Sequence, residues 1–251
     1  MKSMPAPKKH YIVRENNGLT GYGENHKRLE SINRIAAGVA HEIRNSLTEV
    51  FGFIQLLELS VEPNQAQKRY LENIYSGVES INSVINELLL LQASLNLRTR
   101  PITVMVLIEE MMDRVKQRAH DQSTTLAYKQ FGPLPLVEVD QSLIGRALYN
   151  LIKNALDAVE QGGEVSVAAR YQSGRKTVVI EISDTGKGIA KESLNLIFEP
   201  FYSCKPLGTG LGLCSALNVV KQHGGDIKVN SCEGEGSTFL VELPAIGFES
   251  T

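Results

Sequence analysis

Cysteine is scarce in this 251-residue chain: Cys204, Cys214 and Cys232 are odd in number and form no C-x-x-C pair. That argues against a disulfide scaffold or a cysteine metal site and for reduced thiols in the cytosol. An excess of one charge is also missing. The net charge of −2 does not suit a general polyanion binder, so no nucleic-acid partner is expected. No apolar run approaches the roughly 18 residues that a membrane span needs. The N-terminus, M-K-S-M-P-A-P-K-K-H, lacks the apolar core of a signal peptide. What is present is ordinary: 42% hydrophobic and 22% charged residues, as in a cytoplasmic globular protein of one large or two modest domains.

Residues 1–23 are rich in Lys, Asn, Gly and Pro, show no apolar period and read as a flexible lead. Heptad positions counted from Leu29 are Leu29, Ile32, Ala36, Val39, Ile43, Ser46, Val50, Phe53 and Leu57, apolar or Ala except at Ser46. This pattern predicts one long helix with a narrow seam. S-V-E-P-N (60–64) reads as a turn, with Asn64 capping a second helix. That helix carries Leu71, Ile74, Val78, Ile81, Ile85 and Leu88 and is expected to end near Leu97. Together they predict an antiparallel two-helix hairpin over 24–98. A lone hairpin cannot enclose its own stripe, so a second copy is expected to complete a four-helix bundle, as a homodimer.

L-R-T-R-P (97–101) reads as a linker, and 101–247 as a second domain. Its pattern predicts a helix over about 106–120, a short strand Thr125–Tyr128, and a helix from about Gln141 to Val159 capped by Asp140. Two strands joined by Q-S-G-R follow, then a helix over about 211–223 and a closing pair of strands. The class is α+β: a mixed sheet with helices on one face.

Three stretches of this domain suggest chemistry. Asn150, Asn154 and Asp157 recur at i, i+4 and i+7 and share a stripe with Arg146. It is either a solvated face or a surface for oxygen-rich ligands; Asn is a mediocre helix former, which favours the second. The strand T-V-V-I-E-I-S-D ends in Asp184, beside Gly186 and Gly188. It is either a capped turn or a contact for a planar ligand carrying an amino group, with glycines permitting close approach. G-T-G-L-G-L (208–213) opens a helix and offers free N–H groups to phosphate. It is not a Walker loop, and no strand leads directly into it as in a Rossmann fingerprint.

H-E-I-R-N (41–45) lies within the first long helix. With Ala36 at position a, His41 and Thr48 fall at f and Asn45 at c, on the outward face. A core role for His41 is thereby excluded. Metal ligation lacks a second His, Cys or carboxylate at i+3 or i+4, which leaves an inert surface histidine or a reactive one.

N-x-x-x-N-A, D-x-G-x-G-I, F-E-P-F (198–201), G-T-G-L-G-L and G-E-G-S-T-F occur in that order. The series resembles the Bergerat (GHKL) nucleotide-binding fold, a two-layer α/β sandwich. With the H-E-I-R-N helix ahead of it, the chain from about Glu24 to Pro244 resembles the catalytic core of two-component sensor histidine kinases. The resemblance implies ATP and Mg²⁺ as cofactors. Asn154 would be the metal ligand, supported by Asn150 and Asp157, and Asp184 the reader of adenine, beside Gly186 and Gly188. Gly208, Thr209, Gly210, Leu211 and Gly212 would line the triphosphate, with Lys205 placed to reach the γ-phosphate. Residues 187–209 would form a lid anchored by Phe198 and Phe201.

The same resemblance makes His41 the phosphoacceptor, Glu42 its general base and Asn45 the residue that orients water for a reverse phosphatase activity. A response-regulator receiver domain would be the partner. Two competing readings are an adaptor with a vestigial nucleotide fold, and a serine kinase of an anti-sigma type. The intact Asn154, Asp184 and glycine loop oppose the first, and the His41 hairpin opposes the second. Two positions depart from the family. Ser46 stands where Pro is common, which predicts a straighter helix. Cys204 stands where Thr is frequent, as an oxidation-sensitive site or, more simply, a small buried side chain.

Overall fold

A computed structural model of the chain describes residues 43, 46–58, 64–91, 94–205 and 208–248. The N-terminal lead, His41, Glu42 and Asn45 lie outside the described residues. The chain divides between Leu95 and Asn96 into two compact units.

The first unit contains helix α1, described over 46–58, and helix α2, Gln65–Leu89. Asn64 caps α2 in a capping box: its Oδ1 accepts from Gln67 N–H at 3.0 Å, and its own N–H donates to Gln67 Oε1 at 2.8 Å. α2 stops at Leu89 rather than near Leu97. No Gly or Pro marks that end, so the apolar run Leu88–Leu91 disguises it. Leu47, Val78 and Ile85 form the hairpin core, with Phe51 and Leu89 packed against it. The Phe51 and Tyr75 rings lie 5.6 Å apart, and Tyr75 OH donates to Glu58.

On α1 the counted seam is not this core, and on α2 it is divided: Leu71, Val78 and Ile85 are buried but Ile74 and Ile81 are not. Ile43, Ser46, Val50, Phe53 and Leu57 are exposed, as are Ile74 and Ile81 of α2. Each helix therefore carries two apolar faces, one met by its neighbour and one open. The expectation of a single narrow seam is corrected accordingly, because the faces overlap in a stripe wider than a/d.

The second unit is a seven-stranded mixed sheet with helices α3 (Val104–Asp121), α4 (Gln141–Ala158) and α5 (Gly212–Gln222). The strands are β1 (Arg100–Ile102), β2 (Thr125–Phe131), β3 (Leu136–Val139), β4 (Glu164–Gln172), β5 (Thr177–Asp184), β6 (Asp226–Cys232) and β7 (Gly236–Gly247). Their order is β1-β3-β7-β5-β4-β2, with β6 also on β7. Only β2 and β4 run parallel. Period-2 burial in β4, β6 and β7 points Val165, Val167, Ala169, Ile227, Val229, Phe239, Val241 and Leu243 to one face. α4, packed between α3 and α5, fills the interior with Ile144, Leu148, Leu151, Ile152 and Leu156.

Two strands escape the sequence pattern. β1 overlaps the end of the predicted linker, and β3 directly follows the turn-rich F-G-P-L-P (131–135). They pair antiparallel, Arg100 opposite Val139 and Ile102 opposite Val137. Each is too short to show alternation, and Pro101 is tolerated because β1 is an edge strand. β2 continues to Phe131, beyond the expected Tyr128.

The start of α4 is held from three directions. Asp140 Oδ1 accepts from Leu143 N–H at 3.1 Å, and Oδ2 accepts from Arg98 N–H at 3.0 Å. Asp140 N–H donates to His223 Nε2 at 3.0 Å. The His223 ring is thereby the tautomer whose Nδ1–H donates to Val219 O at 2.8 Å. Losing an N-cap costs about 1 kcal/mol, and each further unmade bond about as much again. Asp140→Ala is expected to destabilise the second unit by about 2 kcal/mol in denaturant titrations, whereas Asp113→Ala on exposed α3 surface leaves it within about 0.5 kcal/mol.

Candidate functional site

α4 buries its apolar side, which fixes the direction of its polar stripe. Asn154 and Asp157 are half-buried at its last turns, but Asn150 is buried. Its Nδ2 donates to Gly212 O at 3.3 Å and Ser215 Oγ at 3.4 Å, tying α4 to the first turn of α5. A solvated-face role is excluded for Asn150. Asp157 Oδ1 accepts from Arg118 Nη2 of α3, a residue without a marker in the sequence.

Lys205 lies on this stripe. Its Nζ donates to Asn154 Oδ1 at 3.0 Å and to Asp157 Oδ2 at 2.7 Å. The structure therefore brings Asn154, Asp157, Arg118 and Lys205 into one network.

Asp184 ends β5 and is buried. Its Oδ1 accepts from Gly186 N–H at 2.8 Å and Ser237 N–H at 3.3 Å. Ser237 belongs to G-E-G-S-T-F, so its motif was visible although its bond was not. Burial pushes the Asp184 carboxyl above its ordinary value, with the Gly186 and Ser237 hydrogen bonds pulling the other way. Beyond Asp184 the chain passes under the end of α4, where Lys187 N–H donates to Ala158 O at 3.1 Å. Gly188 has φ +67°, and a Cβ there would meet Cys232 O at 2.0 Å, so only glycine fits.

Between these groups runs the segment 187–209, described except for 206 and 207. Leu194, Ile197 and Phe198 are buried. Phe201 is 59% exposed, contrary to its expected role as a ring anchor. Its backbone does the anchoring: with φ +65°, Phe201 N–H donates to Gly210 O at 3.1 Å. A Cβ on Gly210 (φ +68°) would stand 2.4 Å from Phe201 C, so the glycine is required by close approach. Cys204 is exposed, not a buried small side chain.

Thr209 Oγ1 accepts from Leu211 N–H at 3.3 Å. The Leu211 side chain is buried in the core, so only its backbone is left for the triphosphate contact expected of it. Gly208, Gly210 and Gly212 lead into the N-terminus of α5, where helix N–H groups favour an anion.

Residues 139–246 match the family described as histidine kinase-, DNA gyrase B-, and HSP90-like ATPase, and residues 31–94 match the His Kinase A (phospho-acceptor) domain. The chain belongs to the histidine kinases. Among relatives of this kinase core, the sensor histidine kinase ZraS of Escherichia coli strain K12 is 36% identical over 218 residues, which are 87% of this chain and 46% of that protein. ZraS of Salmonella typhimurium strain LT2 is 34% identical over 220 residues, 88% of this chain and 47% of that protein. Full-length ShkA in complex with AMPPNP has a TM-score of 0.76 at 26% identity, covering 87% of this chain and 47% of that one. The kinase core thus spans about half the length of these relatives. Among the described residues no helix is long and apolar enough to cross a membrane.

Because burial raises the Asp184 carboxyl, the folded chain binds its proton more readily than the unfolded chain does. That contribution to stability is present below the unfolded value of 3.8 and is lost as pH rises through the folded one. Asp184→Asn, which keeps an acceptor for both amides, is therefore expected to be more stable than wild type at neutral pH. Denaturant titrations should show the gain shrinking as pH falls; a gain equal at every pH would refute the burial explanation.

Proposed function

We propose that this core is an ATP-dependent protein-histidine kinase that phosphorylates His41 and passes the phosphoryl group to an aspartate of a response-regulator receiver domain. The observation that carries the proposal is the grouping around α4. A buried carboxylate at a strand end, a neutral amide beside a lysine, and a glycine loop at a helix N-terminus converge there, in a chain whose residues 31–94 match a phospho-acceptor domain.

Asp184 accepts a hydrogen bond from the 6-amino group of adenine, a position where guanine carries an oxygen. Gly208 to Gly212 receive the phosphates through backbone N–H groups, and Lys205 supplies charge to the terminal one. Among the described residues no cluster of His, Cys, Asp or Glu is sufficient to hold a metal alone. Asn154 Oδ1 is nonetheless an oxygen that already attracts a cation, Lys205 Nζ. The residues fit Mg²⁺ held by Asn154 together with the nucleotide's phosphates, where it neutralises charge on the transferred group.

The reacting histidine is neutral near pH 7 in useful proportion. One ring nitrogen bonds to the γ-phosphorus, the bond to the ADP oxygen breaks, and ADP leaves. Glu42 accepts the proton from the other nitrogen, and Asn45 orients water for the reverse hydrolysis of the regulator's acyl phosphate. The exposed apolar face of the hairpin, Val50, Phe53, Leu57, Ile74 and Ile81, supports a homodimer closing a four-helix bundle.

Incubation with γ-labelled ATP and Mg²⁺ is expected to give a label that is acid-labile and base-stable. It should be lost in His41→Gln and reduced by about 10- to 100-fold in Asn154→Ala, the scale on which a metal site suffers when a supporting group is removed. Label that resists acid, or persists without His41, would show another reaction. Sizing by light scattering should find a dimer, and Val50→Asp with Phe53→Asp should convert it to monomer. A wild-type monomer would exclude the bundle.

A further inference from the structure

Asp157 stands between two cations. Its Oδ2 accepts from Lys205 Nζ at 2.7 Å and its Oδ1 from Arg118 Nη2. The same Lys205 Nζ reaches Asn154 Oδ1 at 3.0 Å. The Asp157 side chain is 20% exposed and that of Lys205 34%, so the pair is screened less than one on open surface.

The consequence lies in which atoms are shared. Lys205 is the side chain assigned above to the terminal phosphate, and Asn154 Oδ1 is the oxygen assigned to the metal. One ammonium therefore covers the metal's oxygen, held there by a carboxylate that itself repels phosphate. A divalent cation and an ammonium on one amide oxygen repel each other. Taking up a metal-bound nucleotide thus requires Lys205 to leave both partners in one movement, carrying the segment around Phe201 and Cys204 with it.

We infer that Asp157 is a positioning residue acting through Lys205: it parks the ammonium on Asn154 and sets the cost of transferring it to a nucleotide's phosphate. Arg118 opposes it. By engaging Oδ1 it weakens the hold on Lys205 and offsets the carboxylate's repulsion of phosphate. This inference rests on the nucleotide reading above.

The test is a set of Mg·ATP titrations on the full chain and its variants, joined to hydrogen exchange without nucleotide. Asp157→Asn is expected to tighten Mg·ATP binding by about threefold to fivefold, the scale of a partly exposed ion pair. Arg118→Met is expected to weaken it, the opposite sign. Lys205→Met should weaken binding, and in that background Asp157→Asn should tighten it by less than in the wild-type chain, because only the relief of direct repulsion remains. The amides of Phe201, Tyr202 and Lys205 should exchange faster in both Asp157→Asn and Lys205→Met. If Asp157→Asn weakens binding, or shifts it equally with and without Lys205, the positioning role is overturned. A wild-type chain that takes up no Mg·ATP overturns the nucleotide reading instead. Exchange rates then judge the parking contact separately, and unchanged rates in both variants overturn it.

Discussion

Lys187 N–H donates to Ala158 O at 3.1 Å, and a Cβ on the neighbouring Gly186 would come within 2.3 Å of that same carbonyl oxygen. Strand β5 and helix α4 thus meet backbone to backbone at their C-terminal ends. The contact satisfies one of the carbonyls that every helix leaves orphaned at that end. It also places Asp184, three residues before Lys187, beside the last turn that carries Asn154 and Asp157. At the other end Asp140 joins α4 to Arg98 and to His223 of the turn after α5. A helix held at both ends, with Leu148, Leu151, Ile152 and Leu156 fully buried, has one rotation available. Its polar stripe then points where the glycine loop and Lys205 lie.

The two carboxylates of the site are treated in opposite ways. Asp184 is taken out of water, which raises its proton affinity although its two backbone amide partners pull the other way. Asp157 stays half in water and is compensated by Arg118 and Lys205. The first arrangement costs stability at neutral pH, a cost tolerated where a ligand needs a fixed acceptor in a dry site. The second holds the Lys205 cation on the oxygen of Asn154. Asn154 is neutral, which suits the proposed metal, whose charge is wanted by phosphate rather than by protein.

In the hairpin the governing constraint is surface. Two helices bury one another along Leu47, Val78 and Ile85 and leave a second stripe open at Val50, Phe53, Leu57, Ile74 and Ile81. A heptad count reports only that apolar residues recur. It does not separate the face used within the hairpin from the face used beyond it, because both fall within neighbouring heptad positions on each helix.

Local chemistry was legible from residues alone: the caps at Asn64 and Asp140, the alternation of β4 and β7, the stripe on α4 and the glycine loops all follow from side-chain period and backbone freedom. Other features are pairings between distant residues and leave no local period. β1 and β3 exist because they face each other across more than a helix and a strand of sequence. Leu89 ends α2 without a stop residue, and Phe201 exposes its ring because its backbone, not its side chain, is held by Gly210. Arg118 joins the site only because α3 packs beside α4. The order of motifs along the chain determined the family and the residue types of the site. Which oxygen each lysine and arginine rests on was decided by tertiary packing, since hydrogen bonds are set by distances that sequence separation does not encode.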